Sequence, residues 1–271
     1  MRGVREQRLV FGEEAELYDR ARPTYPGQLL DYVVALAGVP ARALDIGCGT
    51  GKATVLLAAR GVSGIALDAH PAMAELARRN LAPYRDWVVE VGDFERWRPP
   101  PGPRPFDLTC SAQAWHWLDP SVRFHKVHDL LREGGWLALW WNGSSSTGPV
   151  AEEIDEIYAE LVPEITHKSG STNRDLDLEQ VPSDLTFRGP LRKDFKWAKD
   201  YSAEQWVALL RTQSDHMLLA TELLCELTAR VRSCIESHGG YYHQDYVCRL
   251  ATYQKGAPDA EHYTPMRPVG L

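Results

Sequence analysis

Residues 43–54 read ALDIGCGTGKAT: three glycines, a cysteine, a lysine and an acid in one short stretch. The apolar run RALDI before the first glycine has the length and composition of a buried strand. GKATVLLAARG after it has helical spacing and closes on Gly61, a residue suited to a helix C-terminus. A strand, a glycine turn and a helix in that order form a nucleotide-type loop, and its ligand depends on details. A phosphate loop needs glycine at position 46 and Ser or Thr after the lysine; Ile46 and Ala53 stand there. A dinucleotide loop accepts Gly47 and Gly49 but needs a third glycine where Lys52 stands. It would also place a pyrophosphate beside the carboxylate of Asp45, which the positive end of a helix cannot fully offset.

On either side of this loop, apolar runs and helical segments alternate between residues 42 and 142. SGIALD, DWVVEVGD, FDLTCSAQ and GWLALWWN are the further strands; PAMAELARRN and PSVRFHKVHDLLREG are helices between them. This alternation predicts parallel pairing through right-handed crossovers, a doubly wound, Rossmann-like α/β sheet with helices on both faces. After Asn142, GSSSTG is expected as a turn and PVAEEIDEIYAELVPEI as a helix. LRKDFKWAKDYS and YYHQDYVCRLATYQK are the last two strands, making seven, with two helical segments (202–237) between them. RPPPGPRP (98–105) reads as a surface loop and 166–186 as irregular chain. The expected organisation is one domain over 1–271. Residues 1–40 form N-terminal lid helices, 41–142 a cofactor-binding core, and 143–271 substrate-capping helices with the last strands.

Composition limits the partners. The 271 residues are 44% hydrophobic and 25% charged, with a formal net charge of −7. That balance disfavours a non-specific grip on nucleic acid. Five cysteines without a CxxC pair predict free thiols and a cytoplasmic protein. No apolar run is long enough to span a bilayer, and the first residues lack the apolar core of a signal peptide. His125 and His128 have helical spacing, but no third ligand accompanies them, so no metal is expected.

S-Adenosylmethionine is a nucleoside that carries an ammonium and a sulfonium in place of phosphates, so Asp45 becomes an asset to the site. LDIGCGTG, ALDAHPAMAELAR (66–78), VGDFERW (91–97) and LREGGWLAL (131–139) together resemble the motifs of class I S-adenosylmethionine-dependent methyltransferases. Glu133 stands where that family usually has proline, in a turn away from the ligand site. YDRARPTYP (18–26), FDLTCSAQAWHWLDP (106–120) and LRTQSDHMLL (210–219) are similar to the type 11 small-molecule branch.

The resemblance implies a cofactor site at successive strand ends. Gly47, Gly49 and Gly51 let the backbone approach the ligand. Asp45 orients the turn through its N–H groups, or reaches the methionine ammonium through water. Asp68, with Ala69 beside it, meets the ribose hydroxyls; Asp93 and Phe94 meet adenine; the backbone at Ser111 meets the methionine part. Tyr18 and Arg22 belong to the lid, with Arg22 paired to the ligand carboxylate. His116 is the candidate base for a protonated acceptor, Trp115 and Trp117 are candidate lining or lid residues, and Arg211, Ser214 and His216 are candidate acceptor contacts. The implied activity is methyl transfer to a small molecule, leaving S-adenosylhomocysteine; the acceptor and the oligomeric state stay open. A non-catalytic S-adenosylmethionine-binding partner protein and a nicotinamide-dependent oxidoreductase are the alternatives.

Overall fold

The structure is a computed structural model that describes residues 15–100, 105–165 and 181–256. The chain opens with α1 (Ala15–Ala21) and α2 (Gly27–Ala37). The alternating part follows: β1 (Ala41–Ile46), α3 (Lys52–Ala58), β2 (Val62–Asp68), α4 (Pro71–Asn80), β3 (Trp87–Val91) and β4 (Phe106–Ala112). A 3-10 turn (Trp115–Trp117) leads to α5 (Pro120–Leu130) and β5 (Leu131–Ser145). The last part contains α6 (Pro149–Leu161), β6 (Phe187–Ser202), α7 (Ala203–Arg211), a 3-10 turn (His216–Leu218), α8 (Thr221–Ser237) and β7 (Tyr241–Lys255).

One sheet of seven strands runs in the order β3-β2-β1-β4-β5-β7-β6. The first five pair in parallel, and β7 runs antiparallel to both β5 and β6. The strands alternate in side-chain direction, and both faces are covered. On β1, Ala41 and Ala43 join the layer packed under α2 and α3, while Leu44 and Ile46 join the layer that holds Phe124 and Val127 of α5. A third cluster joins α6, α7 and α8 through Ile154, Leu210 and Val231, none of them exposed.

Local chemistry sets the ends of these elements. His70 caps α4, its Nδ1 accepting from the Ala72 N–H at 3.2 Å, with Pro71 pre-set for the first turn. Asp119 caps α5 by accepting from Ser121, and Ser202 with Gln205 forms a reciprocal capping box at α7. The expected turn at GSSSTG is corrected in part: β5 continues to Ser145, because β7 supplies backbone partners out to the Ser145–Asp245 register. The expected helix over 120–134 ends at Leu130, where Leu131 pairs with Phe106 in the sheet. Residues 1–14 of the lid assigned to 1–40, part of the 98–105 loop, most of the 166–186 segment and residues 257–271 lie outside the described residues.

Candidate functional site

The parallel strands bring the ends of β1, β2, β3 and β4 to one edge of the sheet. β1 lies between β2 and β4, so the connections leave in opposite directions on its two sides. Such a switch point opens a crevice at the C-terminal edge of the sheet. A cleft lies there, bounded by Gly47, Cys48 and Gly49 after β1, by Ala112 and Gln113 at the end of β4, and by Tyr18, Arg22 and Tyr25 from the N-terminal segment.

The turn depends on its glycines. Gly47 has φ +70°, and a Cβ there would meet the Ala114 Cβ at 2.4 Å. Gly49 has φ +58°, and a Cβ there would meet nothing within 4 Å, so it presents bare backbone to the cleft. Gly51, φ +84°, starts α3 from the left-handed region.

Backbone N–H groups of the turn bond away from Asp45, which corrects that part of the expectation. Gly47 and Cys48 both donate to the Leu67 carbonyl, at 2.8 and 3.1 Å, and Gly49 donates to Asp68 Oδ2 at 2.8 Å. Asp68 Oδ1 accepts from the His70 N–H at 2.8 Å, so this carboxylate ties the glycine turn to the start of α4. Asp45 lies beneath the turn, fully buried, its Oδ2 accepting from the Thr54 hydroxyl at 2.6 Å. Its Oδ1 has no hydrogen-bond partner, with only the weakly donating Cys110 thiol beside it. Burial raises the Asp45 carboxyl from 3.8 to about 6, against the lowering effect of Thr54 and Cys110, and the Asp68 charge adds to the rise.

Ala69 sits in the bend between Asp68 and α4, and the side chain of Asp93, just past β3, is exposed. Phe94 is buried in the α5 layer; Lys126 donates to its carbonyl and lies 4.8 Å from its ring centre. The Ser111 hydroxyl is buried and donates to the Ile46 carbonyl at 2.9 Å, so this side chain ties β4 to β1. Burial lifts the Cys48 and Cys110 thiols well above the usual range, which keeps them protonated.

The N-terminal segment is held from both sides. Lys52 donates to the Asp19 carbonyl at 2.5 Å, and Asn80 donates to both Asp19 Oδ1 and the Thr50 carbonyl. The lysine that mimics a phosphate loop in sequence thus anchors α1 over the turn. Arg22 donates to the Thr212 carbonyl at 2.6 Å, past the end of α7, and its guanidinium lies 5.2 Å from the Tyr18 ring centre. Arg22 Nε is buried without a partner.

Other sequence candidates stand apart from the cleft wall. His116 is exposed, and its Nδ1 accepts from the Trp141 indole at 3.4 Å. In a neutral ring that contact leaves the proton on Nε2, so the ring is not poised as a base in this arrangement. Trp115 is core: 3% exposed, edge-on to Phe124, with its carbonyl accepting from Arg123 at 2.7 Å. Trp117 is half-buried with its ring 4.5 Å from that of His116. His216 is buried between Tyr158, 2.6 Å from its Nε2, and Asp215, 2.8 Å from its Nδ1; Arg211 is exposed. His125 and His128 turn to Asp184 and Thr186. Sequence reasoning missed Gln113, which has φ +60°, the single positive-φ residue other than glycine among the described residues. Strained backbone of this kind concentrates at working sites, but one sequence carries no signal for it.

A mostly parallel sheet with a glycine turn and acids at neighbouring strand ends is a Rossmann-like fold. A model of the methyltransferase domain matches residues 43–135. An uncharacterized methyltransferase of Mycobacterium tuberculosis (strain ATCC 25618 / H37Rv) is 29% identical over 234 residues, 86% of this chain and 88% of its own. The ubiquinone biosynthesis O-methyltransferase of Xanthomonas campestris pv. campestris (strain B100) is 33% identical over 147 residues, 51% of this chain and 59% of its own. A structure assigned as a type II methyltransferase from Anaeromyxobacter dehalogenans shares the fold, with TM-score 0.63 at 21% identity, over 85% of this chain and 97% of that one. The family model, the relatives and the shared fold together support a class I S-adenosylmethionine-dependent methyltransferase. The same matches support a methyltransferase enzyme and speak against the nicotinamide-dependent reading. Among the described residues no helix is long and apolar enough to cross a membrane.

Proposed function

We propose that this methyltransferase acts on a small organic acceptor bound over the cleft between the glycine turn and the N-terminal segment. One observation carries the reading: the cleft at the β1/β4 switch point is walled by bare glycine backbone on one side and by Tyr18 and Arg22 on the other. A buried polar atom without a partner at the cleft wall, Arg22 Nε, suits a ligand that carries a carboxylate. The relative named for ubiquinone biosynthesis supports an acceptor of metabolite size.

S-Adenosylmethionine supplies a methyl carbon made electrophilic by the adjacent sulfonium. Asp68 receives the ribose hydroxyls; a carboxylate oxygen accepts two hydrogen bonds, so this is compatible with the contacts to Gly49 and His70. Asp93, Ala69 and the Phe94 backbone would hold the adenine, and Gly47, Gly49, Gly51 and the Ser111 backbone would border the methionine portion. Asp45 favours the ammonium by charge from beneath the turn, and Arg22 takes the carboxylate. The residues then align two molecules and exclude water, which contributes roughly 7–11 kcal/mol to the rate without metal or covalent intermediate. His116 serves as base only if Nδ1 gives up Trp141, so acceptors that are already nucleophilic suit the site best. The five free cysteines suit a reducing, cytoplasmic setting.

The test is incubation with a metabolite extract and isotopically labelled methyl donor, followed by mass spectrometry. Label in one or a few small molecules is expected. Label confined to protein or nucleic acid overturns the acceptor assignment.

A further inference from the structure

Glu153 on α6, Cys234 on α8 and His238 at the end of α8 converge away from the cleft, none of them among its lining residues. Each offers one donor atom, and the three atoms lie within 4.8 Å of one another. Cys234 and His238 are one helical turn apart, which puts them on the same face. The His238 ring is oriented by the chain itself: Nδ1 lies 2.9 Å from the Cys234 carbonyl and donates to it. The Ser237 hydroxyl donates to the same carbonyl at 2.8 Å. A ring whose Nδ1 carries the proton has its lone pair on Nε2. That atom faces Glu153 Oε2 at 3.7 Å beside a sulfur, an ion pair when the ring is protonated and an opposition of two lone pairs when it is neutral. Such an arrangement is repulsive without a proton or cation between the partners, and a backbone carbonyl holding the far nitrogen is the usual support of a metal-bound histidine.

We propose that Glu153, Cys234 and His238 bind a divalent cation of the zinc class, with water as the fourth ligand. Sulfur, imidazole and carboxylate are the donors zinc takes, and hard cations such as magnesium avoid the first two. Bonds of about 2.0–2.3 Å require the donors to draw closer. The Glu153 side chain, 46% exposed, can close that distance, while Cys234 is fixed in the α6–α8 packing and the His238 ring is held by the Cys234 carbonyl. Burial and the Glu153 charge hold the Cys234 thiol up at about 11, so it carries a proton before the ion arrives. Coordination replaces the S–H bond by a sulfur–metal bond and releases that proton to solvent. The ion staples α6 to the end of α8 and takes no part in methyl transfer, so the assignment stands independently of the proposed acceptor. The expectation of no metal rested on the His125–His128 pair; these three ligands come from distant parts of the chain and have no spacing signature.

The experiment titrates the full, reduced chain with Co²⁺ alone and then displaces it with Zn²⁺. A near-ultraviolet thiolate-to-cobalt band is expected, lost on adding Zn²⁺. Cys234→Ser abolishes the band, and Cys225→Ser, at an exposed position on the same helix, keeps it. Glu153→Gln and His238→Ala alter partly exposed side chains and weaken the ion by more than the roughly 10–100-fold that loss of an outer-shell partner costs, with cofactor affinity unchanged. Absence of a thiolate band in the wild-type chain, or a band that survives Cys234→Ser, overturns the site.

Discussion

From β1 to β4 the sheet ends in short turns that present backbone N–H groups and carboxylates. From β5 to β7 it continues as an antiparallel ribbon covered by helices and closed by side chains: Trp197 stacked on Tyr246 at 4.4 Å, Tyr201 bonded to Tyr246 at 2.8 Å, and Tyr158 bonded to His216. The first region fixes polar groups through backbone geometry that few sequences satisfy. The second fills space with rings, which many sequences can do. On the proposed function, the first part would hold a chemically constant cofactor and the second would be free to differ with the acceptor. The two meet where Arg22 in the N-terminal segment donates to the Thr212 carbonyl.

Substitutions separate the two regions. The largest effect is expected from Asp68→Ala, which removes charge-assisted hydrogen bonds each worth roughly 1.5–3 kcal/mol. Calorimetry should show cofactor affinity reduced by about two orders of magnitude or more. Equal affinity would detach Asp68 from the site.

Asp45→Asn should act in opposite directions on stability and binding. The folded protein holds a proton on Asp45 that the unfolded chain loses between pH 4 and 6. Stability therefore falls as pH rises through that window, by roughly 3 kcal/mol for this group. The Asn variant should be the more stable protein at pH 7 in urea titration, yet bind the cofactor more weakly. Wild-type affinity should rise with pH through about 6, and the variant should lose that rise. A variant that binds as well as wild type would remove the electrostatic role.

Gly47→Ala and Gly240→Ala compare the regions in backbone terms. Both glycines have positive φ, but only at Gly47 does a Cβ meet another atom, at 2.4 Å, whereas Gly240 has open space. Thermal unfolding should show a loss of about 1 kcal/mol at Gly240 and at least twice that at Gly47. Tyr158→Phe should cost about 1–2 kcal/mol by leaving His216 without its buried partner, with no change in cofactor affinity. The smallest effect is expected from His116→Ala, a fall in turnover of less than about tenfold; a loss of 10² or more would show general-base catalysis after all.

Legibility in the sequence follows the same division. The five parallel strands are readable because each is a short apolar run bounded by turn residues, and Asp45, Asp68 and Asp93 because a βαβ repeat places them at neighbouring strand ends. β6 and β7 are also readable, by their alternation. The extension of β5 through Gly143–Ser145 is not, since polar residues become strand only when β7 pairs with them. The partner of Asp45 is hidden because a nearby turn suggests N–H donors, whereas Thr54, a turn into α3, is placed by packing. The anchoring role of Lys52 and the strained Gln113 depend on tertiary contact, which periodicity does not encode.

A crystal structure with S-adenosylhomocysteine is the decisive experiment for the cofactor site. The nucleoside is expected in the crevice between Gly49 and Gln113, its ribose hydroxyls on Asp68 and its amino-acid end toward Arg22. Ligand density elsewhere, or a ribose that does not touch Asp68, would contradict the assignment.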